Sequence, residues 1–339
     1  MNPFGYERTE QAETALQAIA EYSGAKFLAG GTNLIDLMKN GVEKPPMLID
    51  INHLPLREIE ELPDGGVRIG ALARNSDTAS HPLIRTNYPL LARAILSGAS
   101  PQLRNMATNG GNLLQRTRCY YFMDTGFPAC NKRTPGSGCG AIGGVNRIHA
   151  IFGASGACIA THPSDMCVAL AALDAKIHVA GPSGEREIAF ADFHRLPGTT
   201  PQRDTNLHPD EIATAAELPA QGFAKNYTYL KIRDRLSYAF ALVSVAAALE
   251  LDGDTIKEAR LALGGVAHKP WRDTSAEAAL RGKAATPATF THAAELVLRD
   301  AKGFAHNAFK IDLARKVIVR ALTQAAQGTP QSQSNKKIR

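Results

Sequence analysis

The chain reads Phe27-Leu28-Ala29-Gly30-Gly31-Thr32-Asn33-Leu34-Ile35-Asp36-Leu37-Met38 near its N-terminus. Apolar residues precede the paired glycines and recur at positions 34, 37 and 38 after them, which predicts a strand, a tight turn and a helix. An extended pattern resumes at 47–51, and residues 10–22 have the spacing of an amphipathic helix. Together these patterns predict a small α/β lobe over residues 1–55.

The rest of the chain divides into a second lobe and a C-terminal domain. The second lobe, predicted over residues 56–222, has four segments with regular patterns: strands at 67–71, 150–153 and 176–179, and a helix at 88–97. Long apolar segments then alternate, which predicts a separate domain over residues 223–327. The polar tail, residues 328–339, is predicted to be disordered. The predicted fold class is α+β, with a two-lobed domain followed by a C-terminal α+β domain.

Composition argues against several classes of protein. The chain has 339 residues, of which 44% are hydrophobic and 21% are charged, so it can bury a substantial core. Its longest apolar run, 238–249, is shorter than the ~20 residues that a membrane-spanning helix needs. The net charge of +6 is not concentrated in a basic, aromatic stripe, so nucleic-acid binding is not expected. The first residues lack the apolar core of a secretory signal, so export is expected to depend on a partner chain.

Two glycine turns resemble one another and could each hold a diphosphate. They are Gly30-Gly31-Thr32-Asn33-Leu34 and Gly110-Gly111-Asn112-Leu113-Leu114. Paired glycines let backbone amides approach an anion, and the helix expected near Asn33 would add its dipole. Neither turn has the G-x-G-x-x-G of dinucleotide-binding folds, and the sequence has no Walker P-loop. A tight turn without a ligand is the competing interpretation, because such turns are common in loops.

All five cysteines lie in one part of the chain, between Cys119 and Cys167. Cys119, Cys130, Cys139 and Cys158 are separated by ten, eight and eighteen residues. Zinc ribbons bring their ligands in C-x-x-C pairs, whereas wide spacing through glycine and proline favours an iron-sulfur cluster. Four basic residues would offset the charge of a ligated cluster: Arg116, Arg118, Lys132 and Arg133. Five buried free cysteines are the alternative, and Cys167, in an apolar helix-like run, is expected to be the spare one.

These residues resemble the FAD-binding subunit of the molybdenum hydroxylases, the xanthine dehydrogenase and aldehyde oxidoreductase family. Four segments carry the resemblance: 27–34, 104–113, 161–166 and 231–248. It implies a two-lobed FAD-binding domain of the xanthine dehydrogenase and vanillyl-alcohol oxidase type, plus the C-terminal domain. It also implies the residues that bind FAD: Phe27, Leu28, Ala29, Gly30, Gly31, Thr32, Asn33 and Leu34 at the first turn, Thr108, Gly110, Gly111 and Asn112 at the second, Asp165 at the FAD hydroxyls, and Lys231 near the isoalloxazine.

Most members of this family lack cysteines in the flavin subunit, so the cysteines narrow the resemblance to one branch of the family. The pattern is similar to the periplasmic aldehyde oxidoreductases, whose flavin subunit carries an additional [4Fe-4S] cluster. The implied ligands belong to a loop insertion over residues 115–160: Cys119, Cys130, Cys139 and Cys158. Within this branch Cys167 is left unassigned.

Three other side chains near the resembling segments have competing interpretations. His162, beside Pro163, could be a metal ligand or a base, but a structural hydrogen-bonding role is favoured. Tyr238 and Phe240 could contact a flavin, whereas their apolar run favours core packing at least equally.

The function that the resemblance implies is electron transfer within a heterotrimer. A molybdenum-cofactor large subunit would oxidise an aldehyde to a carboxylic acid, and a small subunit with [2Fe-2S] clusters would pass the electrons on. FAD in this chain would deliver them to an external acceptor, and no residue of the chain is expected to be catalytic towards the aldehyde. The alternatives are the flavin subunit of a hydroxybenzoyl-CoA reductase-like or xanthine dehydrogenase-like complex, and a non-redox, zinc-stabilised nucleotide-binding module. The expected compartment is the periplasm, reached with a partner's export signal, with the cytoplasm as the alternative.

Overall fold

A three-stranded parallel sheet forms the N-terminal lobe in the computed structural model, which describes residues 1–332. The elements of this lobe are β1 (Gly5–Arg8), α1 (Ala12–Glu21), β2 (Lys26–Leu28), α2 (Leu34–Lys39) and β3 (Met47–Asp50). The strand order is β1-β3-β2. Helix α1 buries Ala15, Ala18 and Ile19, which lie on one face because they are three and four residues apart. The predicted strand, turn and helix at 27–38 are confirmed as β2 and α2.

A five-stranded antiparallel sheet forms the second lobe, in the order β4-β5-β8-β6-β7. The strands are β4 (Ile59–Glu61), β5 (Val67–Gly70), β6 (Lys176–Gly181), β7 (Gly184–Ala189) and β8 (Ile212–Leu218). The helices are α3 (Asn75–Ser80), α4 (Pro82–Asn87), α5 (Pro89–Ser97), α6 (Pro101–Arg104), α7 (Asn109–Leu113), α8 (Tyr120–Met123), α9 (Gly140–Gly143), α10 (Asp165–Ala172) and α11 (Phe190–Phe193). Every residue of α10 is buried, because the helix contacts both α5 and the C-terminal sheet.

A four-stranded antiparallel sheet and three helices form the C-terminal domain, with strand order β12-β11-β10-β9. The elements are β9 (Asn226–Ile232), β10 (Val243–Asp252), β11 (Thr255–Gly264), β12 (Trp271–Arg272), α12 (Thr274–Leu280), α13 (Pro287–Leu298) and α14 (Phe309–Ala326). Alternate residues of β10 enter different cores: Ala246 and Ala248 pack with the second lobe, whereas Val245 and Ala247 pack beneath α13 and α14. The sheet is thus covered on both faces.

Two expectations about the chain are wrong in detail. Residues 150–153 form bends instead of a strand, because the Ile151 and Phe152 amides both donate to the carbonyl of Val266. The apolar run 238–249 is divided, with Tyr238 and Phe240 exposed before β10 begins. The disorder of residues 328–339 stays a prediction, and the Gln331 carbonyl in that tail accepts a hydrogen bond from Arg93 (2.9 Å). Residues 333–339 of that tail lie outside the described residues.

The strands of the three sheets fall within the three predicted segments, 1–55, 56–222 and 223–327. Within residues 1–332, no helix is both long enough and apolar enough to span a membrane.

Candidate functional site

A cleft of about 780 Å³ lies where the two lobes and the C-terminal domain meet. Six of the residues predicted to bind FAD line it: Thr32, Asn33, Gly111, Asn112, Asp165 and Lys231. The other predicted residues are absent from the lining of this cleft in the described structure, and they belong to the same two turns: Phe27, Leu28, Ala29, Gly30, Gly31, Leu34, Thr108 and Gly110. The cleft therefore brings together segments that are distant in sequence.

The first glycine turn is constrained by its backbone and by the second lobe. Gly31 has a φ of +71°, in the left-handed region that favours glycine. A β-carbon on Gly30 would collide with the carbonyl oxygen of Met106. The helix that follows, α2, has only six residues, so its dipole contributes less than the sequence suggested. The turn thus requires glycine at Gly31 for its backbone conformation and at Gly30 for the close approach of Met106, and neither requirement depends on a bound ligand.

Asn33 presents a polar group beside the cleft. Its Oδ1 accepts a hydrogen bond from the backbone amide of Arg116 (3.0 Å). Its Nδ2 is buried and, among the described atoms, has no hydrogen-bond partner. A buried amide donor without a partner is costly, so a polar ligand that accepts a hydrogen bond here would relieve that cost.

The second glycine turn is held by a network of side-chain amides. Thr108 caps α7 by accepting a hydrogen bond from the Gly111 amide (3.2 Å). Asn112 donates to Asn75 (2.7 Å) and accepts from Ser164 (2.7 Å). Asn112 therefore links the turn to the segment that leads into α10. Sequence reasoning missed Asn75, which no local pattern distinguishes.

Asp165 and Lys231 form a buried ion pair in the wall of the cleft. Lys231 Nζ lies 2.7 Å from Asp165 Oδ2 and donates to the Ser97 carbonyl at 3.0 Å. The Tyr229 hydroxyl donates to Asp165 Oδ1 at 2.7 Å, and burial together with the Asp165 charge raises the pKa of Tyr229 well above its usual value. A carboxylate has about four acceptor positions, so Asp165 can still accept from a ligand hydroxyl. Tyr229 was missed, although it lies two residues before Lys231 on the same face of β9.

Two aromatic residues line the cleft and are not core residues. Tyr238 is 57% exposed and Phe240 is 49% exposed, so the expectation of core packing is wrong for both. The Arg118 guanidinium lies 5.4 Å from the centre of the Phe240 ring. Exposed aromatic rings beside a cleft can pack against a planar ligand or a partner.

A second, smaller cavity is lined by the four cysteines that the resemblance implies as ligands: Cys119, Cys130, Cys139 and Cys158. Three of them are buried and Cys139 is half-buried. Cys130 and Cys139 face one another across an isolated antiparallel bridge. Cys167 lies in α10, away from this lining. The loop thus converges four thiols on one point and leaves the fifth out.

The cysteine sulfurs do not have the close spacing of a bound mononuclear zinc site in the described structure. Four sulfurs bound to one zinc ion at ~2.3 Å lie within about 4 Å of one another. In the 1–332 range, the one group of three or more His, Cys, Asp or Glu ligand atoms within 4.8 Å of one another is His162, Cys167 and His194. The four thiols of the cavity do not meet this limit in the described structure.

The charge around the cysteine cavity comes mainly from Lys132. Lys132 lines the cavity and pairs with Asp204, and its Nζ donates to the Pro201 carbonyl at 2.7 Å. The other three basic residues expected here do not line it in the described structure. Arg116 pairs with Glu43 and Asp204, Arg118 pairs with Asp36, and Arg133 donates to the carbonyls of Tyr121 and Phe122. Of the four predicted cations, Lys132 lines the cavity in the described structure, and Arg116 and Arg133 contact Phe122, which lines it too.

Burial keeps two of the thiols protonated, and a nitrogen lies beside each of these two sulfurs. Burial raises the pKa of Cys119 to about 12 and that of Cys158 to about 11, the latter opposed by the Lys132 charge. His149 Nε2 lies 3.0 Å from Cys119 Sγ, and the Ala160 amide donates to Cys158 Sγ at 3.4 Å. A metal centre bound here would displace the thiol protons and receive these hydrogen bonds.

His162 is anchored through its backbone, whose amide donates to the Ala267 carbonyl (2.9 Å). Its side chain is 8% exposed, and neither ring nitrogen has a hydrogen bond of ordinary geometry in the part of the chain that the structure describes. Burial holds the pKa of His162 well below its usual value and lowers that of the neighbouring His194 to about 4. Both imidazoles are therefore neutral near pH 7.

Comparison with known proteins identifies the family. Residues 2–221 match the family described as the FAD binding domain in molybdopterin dehydrogenase, and residues 227–325 match the C-terminal domain of the CO dehydrogenase flavoprotein. The chain belongs to the FAD-binding subunits of this family. This molybdenum hydroxylase flavin subunit is thus an oxidoreductase subunit, and the predicted fold class is confirmed.

Individual relatives resemble the flavin subunit over nearly its whole length. It is 51% identical to the FAD-binding subunit of an aldehyde oxidoreductase from Escherichia coli K12, over 96% of this chain and 99% of the relative. It is 32% identical to the medium chain of a glyceraldehyde dehydrogenase from Sulfolobus acidocaldarius, over 83% and 82%. A solved carbon monoxide dehydrogenase from Hydrogenophaga pseudoflava matches with a TM-score of 0.75 and 27% identity, over 97% and 99%.

The cleft of the flavin subunit fits its family's cofactor. The unpartnered Asn33 Nδ2, the free acceptor capacity of Asp165 and the exposed rings of Tyr238 and Phe240 offer a donor, an acceptor and apolar surface along one cleft. An FAD molecule presents complementary groups: diphosphate oxygens, ribityl and ribose hydroxyls and a planar ring. The assignment of individual residues to individual FAD atoms stays a prediction.

Proposed function

We propose that the chain is the FAD- and [4Fe-4S]-containing electron-transfer subunit of a molybdenum-dependent aldehyde oxidoreductase. The observation that carries the proposal is the convergence of Cys119, Cys130, Cys139 and Cys158 on one cavity. The 51% identity to the FAD-binding subunit of an aldehyde oxidoreductase supports aldehydes as the substrate class. In this proposal a partner large subunit holds the molybdenum cofactor and a partner small subunit holds the [2Fe-2S] clusters.

The residues of the chain bind and position carriers and do not act on the substrate. Asp165, fixed by Lys231 and Tyr229, accepts hydrogen bonds from FAD hydroxyls, and Asn33 donates to the cofactor from the first turn. The two glycine turns allow close approach to the diphosphate. Bound FAD supplies the exchange of single electrons with clusters and of electron pairs with a final acceptor.

The four thiolates would hold the cluster inside the loop insertion. Lys132 places a positive charge beside the cavity, which offsets part of the negative charge of a thiolate-ligated cluster. His149 and the Ala160 amide direct hydrogen bonds at two of the sulfurs. These contacts fit a thiolate-ligated iron centre, because hydrogen bonds to sulfur and the nearby charge adjust its reduction potential.

Chemical analysis of the purified complex tests the proposal. We expect about one noncovalent FAD and about four iron and four sulfide ions in this chain after it is separated anaerobically from its partners. The complex should oxidise aldehydes with an external acceptor, and the isolated chain should not. Flavin without iron would remove the cluster from the proposal. Iron and flavin together with no aldehyde turnover by the complex would instead favour a xanthine dehydrogenase-like or hydroxybenzoyl-CoA reductase-like substrate.

The resemblance to the periplasmic aldehyde oxidoreductases also suggests the cellular compartment of the complex. We propose that the assembled complex is periplasmic and is exported with a partner's signal, with the cytoplasm as the alternative. Cell fractionation of the native complex, with a cytoplasmic and a periplasmic marker enzyme, distinguishes the two.

A further inference from the structure

Two histidines and the cysteine left unassigned by the sequence meet inside the second lobe. One ligand atom each from His162, Cys167 and His194 lies within 4.8 Å of the other two. All three side chains are buried, and the centres of the two imidazole rings are 4.3 Å apart. This group is distinct from the cavity of the other four cysteines, whose lining includes none of these three residues.

The nitrogens of this group have lone pairs that the described protein does not use. His194 Nε2 lies 2.9 Å from the carbonyl oxygen of Leu113, so that nitrogen carries the proton and donates. His194 Nδ1 is then a bare lone pair, and it has no partner among residues 1–332. Both nitrogens of His162 also lack a hydrogen bond of ordinary geometry there, and the Leu113 carbonyl acts on this ring as it does on His194. Metal-binding histidines usually donate their second N–H to a carbonyl, as His194 does.

The backbone holds the three residues in place before any ligand binds. The His162 amide donates to the Ala267 carbonyl (2.9 Å), which ties its segment to the C-terminal domain. The Cys167 amide donates to the N-cap hydroxyl of Ser164 (3.1 Å), which fixes the first turn of α10. His194 directly follows α11. Three separate segments therefore present their ligand atoms to one point.

We propose that His162, Cys167 and His194 bind one Zn²⁺ ion. Two neutral imidazoles and one thiolate are ligands that a borderline-soft ion prefers, whereas Mg²⁺ and Ca²⁺ take oxygen ligands. On binding, the S–H bond of Cys167 breaks, its proton leaves to solvent and a Zn–S bond forms, with no change of oxidation state. His162 also lines the flavin cleft, so the ion would brace one wall of that cleft.

Zinc analysis and X-ray absorption of the full chain in its purified complex test the proposal. The complex is depleted with a chelator, incubated with ZnCl₂ and passed through a desalting column. We expect about one zinc ion per chain, with a first shell of one sulfur at about 2.3 Å and at least two nitrogens at about 2.0–2.1 Å. A shell of sulfur alone would place the zinc in the four-cysteine cavity and overturn the proposal. So would the absence of retained zinc.

Variants separate this site from the neighbouring one. Cys167→Ala and His194→Gln should each lose at least nine-tenths of the retained zinc while keeping their iron. Cys158→Ser should lose iron and keep zinc. His178→Gln is the matched control, because His178, half-buried on β6, pairs with Glu217 (2.8 Å) and is not one of the three proposed ligands, so the variant should keep both metals. Zinc retained by both Cys167→Ala and His194→Gln contradicts the proposal. If either variant fails to fold, the wild-type absorption spectrum alone decides.

Discussion

Lys231 and Asp165 join the C-terminal domain to the flavin lobe through a buried ion pair of 2.7 Å. The lysine is on β9 and the aspartate opens α10, so the pair crosses the boundary between two predicted domains. Burying two charges costs free energy that their attraction and the hydrogen bonds from Tyr229 and to Ser97 offset. The pair therefore fixes how the two parts of the cleft wall meet.

Removing one partner of this pair should be strongly destabilising. Lys231→Met leaves the Asp165 carboxylate buried without its cation, and we expect a loss of about 3–5 kcal/mol of unfolding free energy. The double variant Lys231→Met/Asp165→Leu should recover most of that loss, because no charge then stays buried. Denaturant titration of the isolated chains measures both. Equal losses in the single and double variants would show that the packing of the lysine stem, and not its charge, dominates.

Gly31 should be necessary for FAD retention beyond its contribution to stability. Its φ of +71° makes Gly31→Ala strained by about 1–2 kcal/mol, and the strain falls on the turn beside Thr32 and Asn33. Gly41, with a φ of +69° in the same lobe, is the matched control, because Gly41→Ala carries similar strain away from the cleft. We expect Gly31→Ala to be depleted of FAD and Gly41→Ala to retain its FAD. Equal flavin contents would remove the first turn from the cofactor site.

The four cavity cysteines should each be required for iron, and Cys167 should not. Serine at position 119, 130, 139 or 158 removes one thiolate from the converging set, so cluster content should fall by most of its value in each variant. Cys167→Ser should keep normal iron, because its thiol lies in α10 among His162 and His194. Iron and sulfide assays on anaerobically purified protein decide the matter. Normal iron in any of the four variants would contradict the ligand set.

Local patterns in the sequence predict the helices and strands, but they do not predict the long-range contacts that form the two sites. The glycine turn and α2 follow from apolar spacing within a dozen residues, and α10 follows from a continuous apolar run. The ion pair of Asp165 with Lys231 joins residues 66 positions apart, and its geometry depends on how two domains pack. Asn75 and His194 have no local pattern that sets them apart from other polar residues. Their roles arise only where the fold buries them beside a partner.

His149 should raise the reduction potential of the proposed cluster. Its Nε2 lies 3.0 Å from Cys119 Sγ, and burial followed by the Lys310 charge lowers its pKa to about 4, so the ring is neutral. In the tautomer with the proton on Nε2, His149 donates to a Cys119 thiolate. A hydrogen bond to a ligating sulfur stabilises the more negative, reduced cluster. We expect His149→Phe to lower the midpoint potential and His149→Gln, which keeps an N–H donor, to lower it less. Potentiometric titration followed by electron paramagnetic resonance measures the midpoint potential. Identical potentials in wild type and both variants would contradict the prediction.

Lys310 should make the stability of the chain depend on pH above neutrality. It is fully buried on α14, and its Nζ donates to the carbonyls of His149 (2.8 Å) and Gly265 (2.5 Å) with the nearby Arg147 as a further cation. Burial, followed by the Arg147 charge, lowers the pKa of Lys310 from 10.5 to about 7.

The direction of that dependence follows from proton uptake. The unfolded chain keeps the Lys310 proton up to about pH 10.5, whereas the folded chain releases it near pH 7, so the unfolded state binds more protons between these values. Stability should therefore rise with pH from about 7 towards 10.5, by up to ~1.4 kcal/mol per pH unit from this group, and its contribution should be constant below pH 7. Lys310→Met removes both hydrogen bonds of Nζ, although the His149 carbonyl still accepts one from Asn307 (3.2 Å). This loss shifts stability by a constant amount, and the variant lacks the slope. Lys316→Met, on an exposed turn of the same helix where Lys316 pairs with Asp312, is the control and should keep the wild-type slope. Denaturant titrations of the three proteins at pH 7, 8 and 9 provide the comparison, and parallel profiles for wild type and Lys310→Met would show that Lys310 does not change its protonation on folding.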